Sequence, residues 1–348
     1  MYIEVGFLNI LSNLLMRLLV FITVFYISGC EPQQSAINGK TMGTYYSIKY
    51  IEHSKAPERA ELQKQIDVLL ENVNNQMSTY RPQSELSRFN QYRNIDEVFP
   101  VSAATLKVIN EAVRINQLTQ GALDISVGPL VNLWGFGPEE HKDQLPSNVE
   151  LQQRKAWVGM DKLKVENDGL IKQIPELYLD LSAIAKGYGV DVVAEYLESV
   201  GINNYLVDIG GEVRTKGRND RQQLWRIAIE KPTAGIEQKV QEVIAPGDMS
   251  VATSGNYRNY FEVNGVRYSH TIDPRTGWPV SNEIVSVTVL SPSCMTADGF
   301  STAIGVLGLE KGLELANQQQ LPVMIITQSD SGFTEHYSET FKQKIITP

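Results

Sequence analysis

The stretch Tyr268-Ser269-His270-Thr271-Ile272-Asp273-Pro274-Arg275-Thr276-Gly277-Trp278-Pro279 orders the rest of the chain. Upstream of it, Asn264-Gly265 separates two runs of strand composition, Tyr260-Phe261-Glu262-Val263 and Val266-Arg267-Tyr268-Ser269. That pattern predicts a β-hairpin with a two-residue turn. Downstream, Pro274, Gly277 and Pro279 make a rigid turn, so the hairpin delivers His270 and Asp273 to the mouth of that turn. The chain has four histidines, and this one, close to a turn carboxylate, is the best functional candidate among them. A hydrogen-bonded structural His-Asp corner is the competing reading.

The turn leads into Cys294 to Thr302, which has the pattern of a helix start, with Thr296 as the expected cap. On a helix Asp298 and Thr302 stand four apart and share a face, a spacing that suits two oxygen ligands of one divalent cation. Equally, an early aspartate can serve the helix dipole and a threonine can bond a carbonyl.

Around these segments the elements are irregular. Amphipathic helices are predicted over Pro57 to Ser78 and, capped by Ser102 and ended by Gly121, over Ser102 to Thr119. Strand composition marks Thr44 to Tyr50, Tyr205 to Ile209, Leu224 to Glu230 and Val323 to Thr327, with a hairpin signal at Asn167-Asp168-Gly169. Leu177 to Asp180 is expected as a strand running into a helix that Ser182 caps and Gly201 ends. Such a helix start attracts anions, and Lys186 in its first turn adds positive charge; a lysine on the wet side of an ordinary helix is the plainer reading. Strands in runs with helices of unequal length argue α+β with mixed or antiparallel sheets. No Gly-x-Gly-x-x-Gly follows a strand, and neither a Gly-x-Ser-x-Gly elbow nor a Cys-x-x-Cys pair occurs.

The N-terminus has its own logic. Residues 1–29 end an apolar run with Ile27-Ser28-Gly29-Cys30, the form of a lipoprotein signal peptide, so Cys30 is the expected lipidated first residue of the mature chain. Leu18 to Ile27 is too short to span ~30 Å of hydrocarbon. Met16-Arg17 begins like a signal n-region, which suggests a true start at Met16. Residues 30–38 are polar and are expected as a tether. Of the two cysteines only Cys294 then remains, which leaves no intrachain disulfide. The net charge of −9 lacks the footprint of a nucleic-acid binder.

Three blocks together, His270 to Gly277, Ala297-Asp298 to Thr302, and Asp180-Leu181-Ser182-Ala183-Ile184-Ala185-Lys186-Gly187-Tyr188, resemble the signature blocks of the ApbE family, the FAD:protein FMN transferases. The likeness runs from about Gly39 to about Ile326. It implies one catalytic domain over residues 39–348 and these site residues: Met42, Tyr80, Ala122, Leu123, Asp124, Asp180, Lys186 and Ile272 for FAD. For Mg2+ it implies the Ala183 carbonyl, Asp298 and Thr302. His270 is the candidate for proton handling or phosphate contact, and Asp273 orients its turn. Some members carry glutamate where Lys186 stands. The resemblance further implies transfer of FMN from FAD to a threonine or serine hydroxyl of an acceptor, with release of AMP. Acceptors would be subunits of the Na+-translocating NADH:quinone reductase or the Rnf complex. The expected location is lipid-anchored on the periplasmic side of the bacterial inner membrane, with outer-membrane sorting open because Glu31 follows Cys30. Two alternatives are an FAD pyrophosphatase yielding FMN and AMP, and a flavin-binding lipoprotein without catalysis.

Overall fold

A computed structural model describes residues 33–52, 54–139, 145–230, 240–255, 260–263, 266–330 and 332–344. The signal peptide, the suggested start at Met16, Cys30 and the Asn264-Gly265 turn lie outside the described residues.

An eight-stranded sheet forms the backbone of the fold. In spatial order its strands are β1 (Gln34–Thr41), β2 (Thr44–Ile51), β6 (Tyr205–Ile209), β7 (Glu212–Lys216), β10 (Ser250–Gly255), β13 (Ile284–Ser291), β14 (Val323–Ser329) and β15 (Gly332–Tyr337). Every neighbouring pair is antiparallel, so the α+β reading holds and the main sheet is not mixed. Three small sheets complete the set: β3 (Val98–Pro100), β5 (Gly169–Lys172) and β4 (Leu163–Val165); β8 (Ile227–Glu230) with β9 (Val240–Ile244); and β11 (Tyr260–Val263) with β12 (Val266–Ser269). The last pair has the register of the expected hairpin, with Val263 opposite Val266.

The α-helices are α1 (Arg59–Met77), α2 (Glu85–Gln91), α3 (Ala103–Leu118), α4 (Gly128–Leu133), α5 (Asn148–Lys155), α6 (Ala185–Ser199), α7 (Cys294–Leu307) and α8 (Leu309–Gln318). Successive residues of a strand point to opposite faces, and at this sheet both faces are covered. In β14, Val323 and Ile325 enter the main core, whereas Met324 and Ile326 enter a second core on the reverse face with Val251, Leu290 and Phe341. The main core also takes Phe300 and Ile304 of α7, Ile109 and Ile115 of α3, and Leu179 and Ile184. Leu62, Ile66 and Leu70 of α1 pack with Val193 and Leu197 of α6 over β1, β2 and β6.

One local expectation changes here. From Gln34 the polar stretch expected as a tether is the edge strand β1, paired with β2 along its whole length; Ile37, fully buried, supplies the apolar anchor that its polar composition hid. Ser147 caps α5, with a full capping box to Glu150. Among the described residues, no helix is long and apolar enough to cross a membrane.

Candidate active site

The site begins where α6 meets α7. The two helices approach so closely that Gly187 has no space for a side chain: a Cβ there would lie 2.6 Å from the Cys294 carbonyl carbon and 2.8 Å from Asp298 Cβ. That approach lets the Gly187 amide donate to Asp298 Oδ2 at 2.9 Å, which fixes the α6 start against the expected metal ligand. Asp191 of α6 completes the junction. Its carboxylate accepts from the Ser293 hydroxyl at 2.7 Å and from the Cys294 and Met295 amides at 3.0 Å, serving the N-terminal end of α7, while Arg214 balances its charge at 2.8 Å.

The caps differ from expectation. Ser293 caps α7, its side chain accepting from the Thr296 amide; Thr296 already lies inside the first turn and donates its hydroxyl to Glu111 at 2.6 Å. Leu177 to Asp180 joins no sheet ladder. Instead the Asp180 amide donates to the Ile125 carbonyl at 2.7 Å, and Asp180 Oδ1 accepts from the Ser182 amide at 2.8 Å and hydroxyl at 2.5 Å. Ser182 is therefore consumed in a local turn, and α6 begins at Ala185 without a side-chain cap. Ala183 sits in that turn, between Asp180 and α6.

Charge at the junction is unbalanced. Lys186 is ion-paired with Glu212, the first residue of β7, which is 3% exposed. Burial opposes the Lys186 charge, but Asp298 and Glu212 beside it outweigh burial and hold the ammonium above the ordinary lysine range. Burial pushes the Glu212 carboxyl up to about 7, with Lys186 opposing, and pushes Asp298 up as well, with Lys186 and the Gly187 amide opposing. Glu212 Oε2 is buried without a hydrogen-bond partner. Two buried carboxylates thus share one ammonium, an arrangement that a divalent cation beside Asp298 would relieve. No group of three or more His, Cys, Asp or Glu converges among the described residues, so such a cation would rely on neutral oxygens besides Asp298. The hydroxyl of Thr302, one turn along α7, and the Ala183 carbonyl are of that type, and all-oxygen donor sets suit Mg2+. The Thr302 hydroxyl lies 3.1 Å from that of Ser254 on β10.

A cavity of about 470 Å3 opens beside the α6 start, lined by Met42, Met77, Tyr80, Ser182, Ala185 and Lys186. Three of the candidate residues, Met42, Tyr80 and Lys186, therefore share one cavity. Met42 is held at φ 48°, with Gly43 at φ 70°, in the two-residue turn joining β1 to β2. The other described non-glycine residues with positive φ are polar, so an apolar one here points to a use for the side chain. Met42 Cε lies where a Cβ on Gly189 of α6 would be only 2.8 Å away, so that glycine makes its seat. Tyr80 is 62% exposed, and its hydroxyl donates to the Phe136 carbonyl at 2.9 Å.

Phe136 in turn meets the His270 ring edge-on at 6.3 Å between centroids, which links the organising turn to the Tyr80 loop. Trp134 anchors that turn: its indole donates to the Gly277 carbonyl at 2.9 Å and stacks on Tyr268 at 5.7 Å. Ile272 is buried with Leu130, Trp134 and Leu151. Asp273 accepts from the Arg275 amide and guanidinium, and Arg275 reaches the Val306 carbonyl of α7 at 3.3 Å, which ties the turn to α7. The Ala122-Leu123-Asp124 block lies deeper. Ala122 and Leu123 are buried, the Leu123 side chain in the main core, and Asp124 Oδ1 is taken up by the Ser126 amide and hydroxyl. Glu212 was not among the residues expected from sequence; its one signal was an acid directly after Gly210-Gly211 at the head of an otherwise uncharged pair, Glu212-Val213, bound for burial.

The ApbE family model matches residues 42–325. The chain belongs to the ApbE family. It is 55% identical over 327 residues to a protein of Vibrio cholerae named FAD:protein FMN transferase, covering 93% of this chain and 97% of that one. A protein of the same name from Haemophilus influenzae is 47% identical over 324 residues, covering 91% and 94%. Among solved structures, the flavin transferase ApbE of Vibrio cholerae superposes with a TM-score of 0.85 at 55% identity, over 90% of this chain and 99% of that one. The apo form of the Pseudomonas stutzeri flavinyl transferase ApbE gives a TM-score of 0.84 at 35% identity, over 92% and 100%. The family's α+β architecture is therefore this chain's architecture.

Proposed function

We infer that the protein is an FAD:protein FMN transferase, and we propose that it moves FMN from FAD onto a threonine or serine hydroxyl of an acceptor protein with release of AMP. The observation that carries this reading is the junction at which the Gly187 amide holds Asp298 beside the cavity lined by Met42, Tyr80 and Lys186. Lys186 stands on the wall of that space at the start of α6, and the Asp298 carboxylate is buried behind it, bonded to the next residue of the helix. The acceptor oxygen forms a bond to the FMN-side phosphorus, the bridging P–O bond breaks, AMP leaves with the bridging oxygen, and the hydroxyl proton is released. The Lys186 ammonium stabilises charge on the pyrophosphate oxygens. His270 takes the proton or contacts the phosphate, from a turn that Asp273 and Trp134 hold in place. Met42 and Tyr80 wall the flavin, while Asp180 and Ile272 position the rest of FAD.

Asp298, Thr302 and the Ala183 carbonyl would hold Mg2+, which when bound neutralises phosphate charge and eases departure of AMP. Cys30 would anchor the domain to the periplasmic face of the inner membrane, a reading supported by the lipobox alone. Acceptors of the proposed class are subunits of the Na+-translocating NADH:quinone reductase and of the Rnf complex. The test follows AMP, free FMN and protein-bound FMN together, with FAD, Mg2+ and one such subunit. AMP matched by protein-bound FMN supports transfer; AMP matched by free FMN, with or without the subunit, replaces transfer by hydrolysis; binding of FAD without cleavage leaves a carrier.

A further inference from the structure

A second and larger cavity, about 1120 Å3, lies along the turn between β1 and β2. One wall is the hairpin tip from Lys40 to Tyr45, and the other is the outer face of α1, where Lys64, Val68 and Glu71 recur at helical spacing. Met42, Gly43, Asn74 and Arg81 line both cavities, so the groove meets the proposed flavin space at Met42. Nine large apolar side chains are exposed among the described residues. Three of them stand along this one path: Tyr45 at 68% and Val68 at 48% in the groove, then Tyr80 in the cavity. Single exposed apolar residues are ordinary, but a series along a cleft that leads to a substrate cavity marks a contact surface.

The groove is also braced. Arg81 grips Glu71 through two bonds, at 2.5 and 3.0 Å, and Asn75 at 2.7 Å, pinning the Tyr80 loop to α1. Asp67 accepts from the Tyr46 hydroxyl at 2.5 Å. Lys40, set over the Tyr45 ring at 5.6 Å, and Lys64 form no ion pair among the described residues. Apolar contacts within a polar rim that carries both signs of charge, on a trough broader and more polar than an enclosed small-molecule pocket, have the anatomy of a protein-binding surface.

Resting on the transferase reading, we propose that this groove docks the acceptor polypeptide. An extended segment beside the receiving hydroxyl would lay apolar side chains on Tyr45 and Val68 and acidic or polar ones toward Lys40 and Lys64. The groove commits to this occupant because a hydroxyl entering the flavin cavity must be carried in by chain lying in a trough that opens onto it.

The test uses Val68→Arg and Lys64→Glu, both on the exposed face of α1 and outside the smaller cavity, with the acceptor subunit that wild type flavinylates. Expected is an acceptor KM raised by about tenfold in each variant, with kcat at saturating acceptor, FAD affinity by fluorescence quenching and the melting temperature all unchanged. An unchanged acceptor KM in both variants overturns the proposal. If sedimentation shows that Val68→Arg dissociates a dimer while the acceptor KM stays constant, the groove belongs to a second copy of this chain. A wild type that binds FAD but flavinylates nothing rejects the transferase reading, and the groove assignment falls with it.

Discussion

Replacing Gly187 by alanine should uncouple the two helices that build the site. The added Cβ would stand 2.6 Å from the Cys294 carbonyl carbon and 2.8 Å from Asp298 Cβ, and a backbone carbonyl cannot swing aside as a side-chain tip can. Overpacking of this kind costs ~1–3 kcal/mol. If α7 shifts to make room, the 2.9 Å bond from the Gly187 amide to the Asp298 carboxylate is lost, at ~1.5–3 kcal/mol. Alanine returns ~1 kcal/mol through its helix preference. The net is about 3 kcal/mol, or a melting temperature lower by about 4 °C for a chain of this size. Gly305→Ala on α7 is the control, because its Cβ would meet only Val287 Cγ2, at 4.0 Å. That variant should be neutral or more stable by up to ~1 kcal/mol. Thermal melts and urea unfolding of both, with and without Mg2+, make the comparison. A Gly187→Ala protein that melts with wild type would refute the account of the helix junction.

Other consequences follow from the charges buried there. Lys186→Met leaves Glu212, 3% exposed, without its counter-charge and should cost ~3–5 kcal/mol in urea unfolding, most of it recovered in the double variant with Glu212→Gln, which should still fail to transfer flavin. Mg2+ at a hundredfold excess over its Kd should stabilise wild type by ~2.7 kcal/mol, and Asp298→Asn should abolish that shift while remaining folded; an equal shift in both would move the metal elsewhere. Burial sets the Glu212 carboxyl at about 7 against an ordinary 4.5, so between those values the folded protein holds a proton that the unfolded chain has released. Stability measured in chelator should therefore fall as pH rises from 4.5 to 7, and Glu212→Gln should flatten that slope.

What could be read from the sequence divides along physical lines. Periodicity found α1 because Leu62, Ile66 and Leu70 recur on one buried face, and α3 because Leu106, Ile109, Val113 and Leu118 recur at helical spacing, Ile109 buried and the other three partly buried against the core. The two-residue turn signal found β11 and β12, although Asn264-Gly265 itself is outside the described residues. β1 escaped because seven of its eight residues, all but the fully buried Ile37, are polar or small, as suits an edge strand whose pairing is supplied by β2. Caps were misassigned at Thr296 and Ser182 since a hydroxyl near a helix start is ambiguous: Ser293 was better placed for α7, and Asp180 captured Ser182. The site residues were named from motif blocks, and their grouping was visible only in space. Gly187 and Gly189 illustrate the limit, because nothing local demands them; each is small to admit a residue more than a hundred positions away, Asp298 for the one and Met42 for the other.

The central claim is that FMN ends on a protein hydroxyl. Intact-protein and peptide mass spectrometry of the acceptor subunit, after incubation with FAD, Mg2+ and either wild type or Asp298→Asn, tests it most directly. The account predicts one added FMN less one water on a threonine or serine, with wild type only. An acceptor of unchanged mass beside free FMN would contradict it.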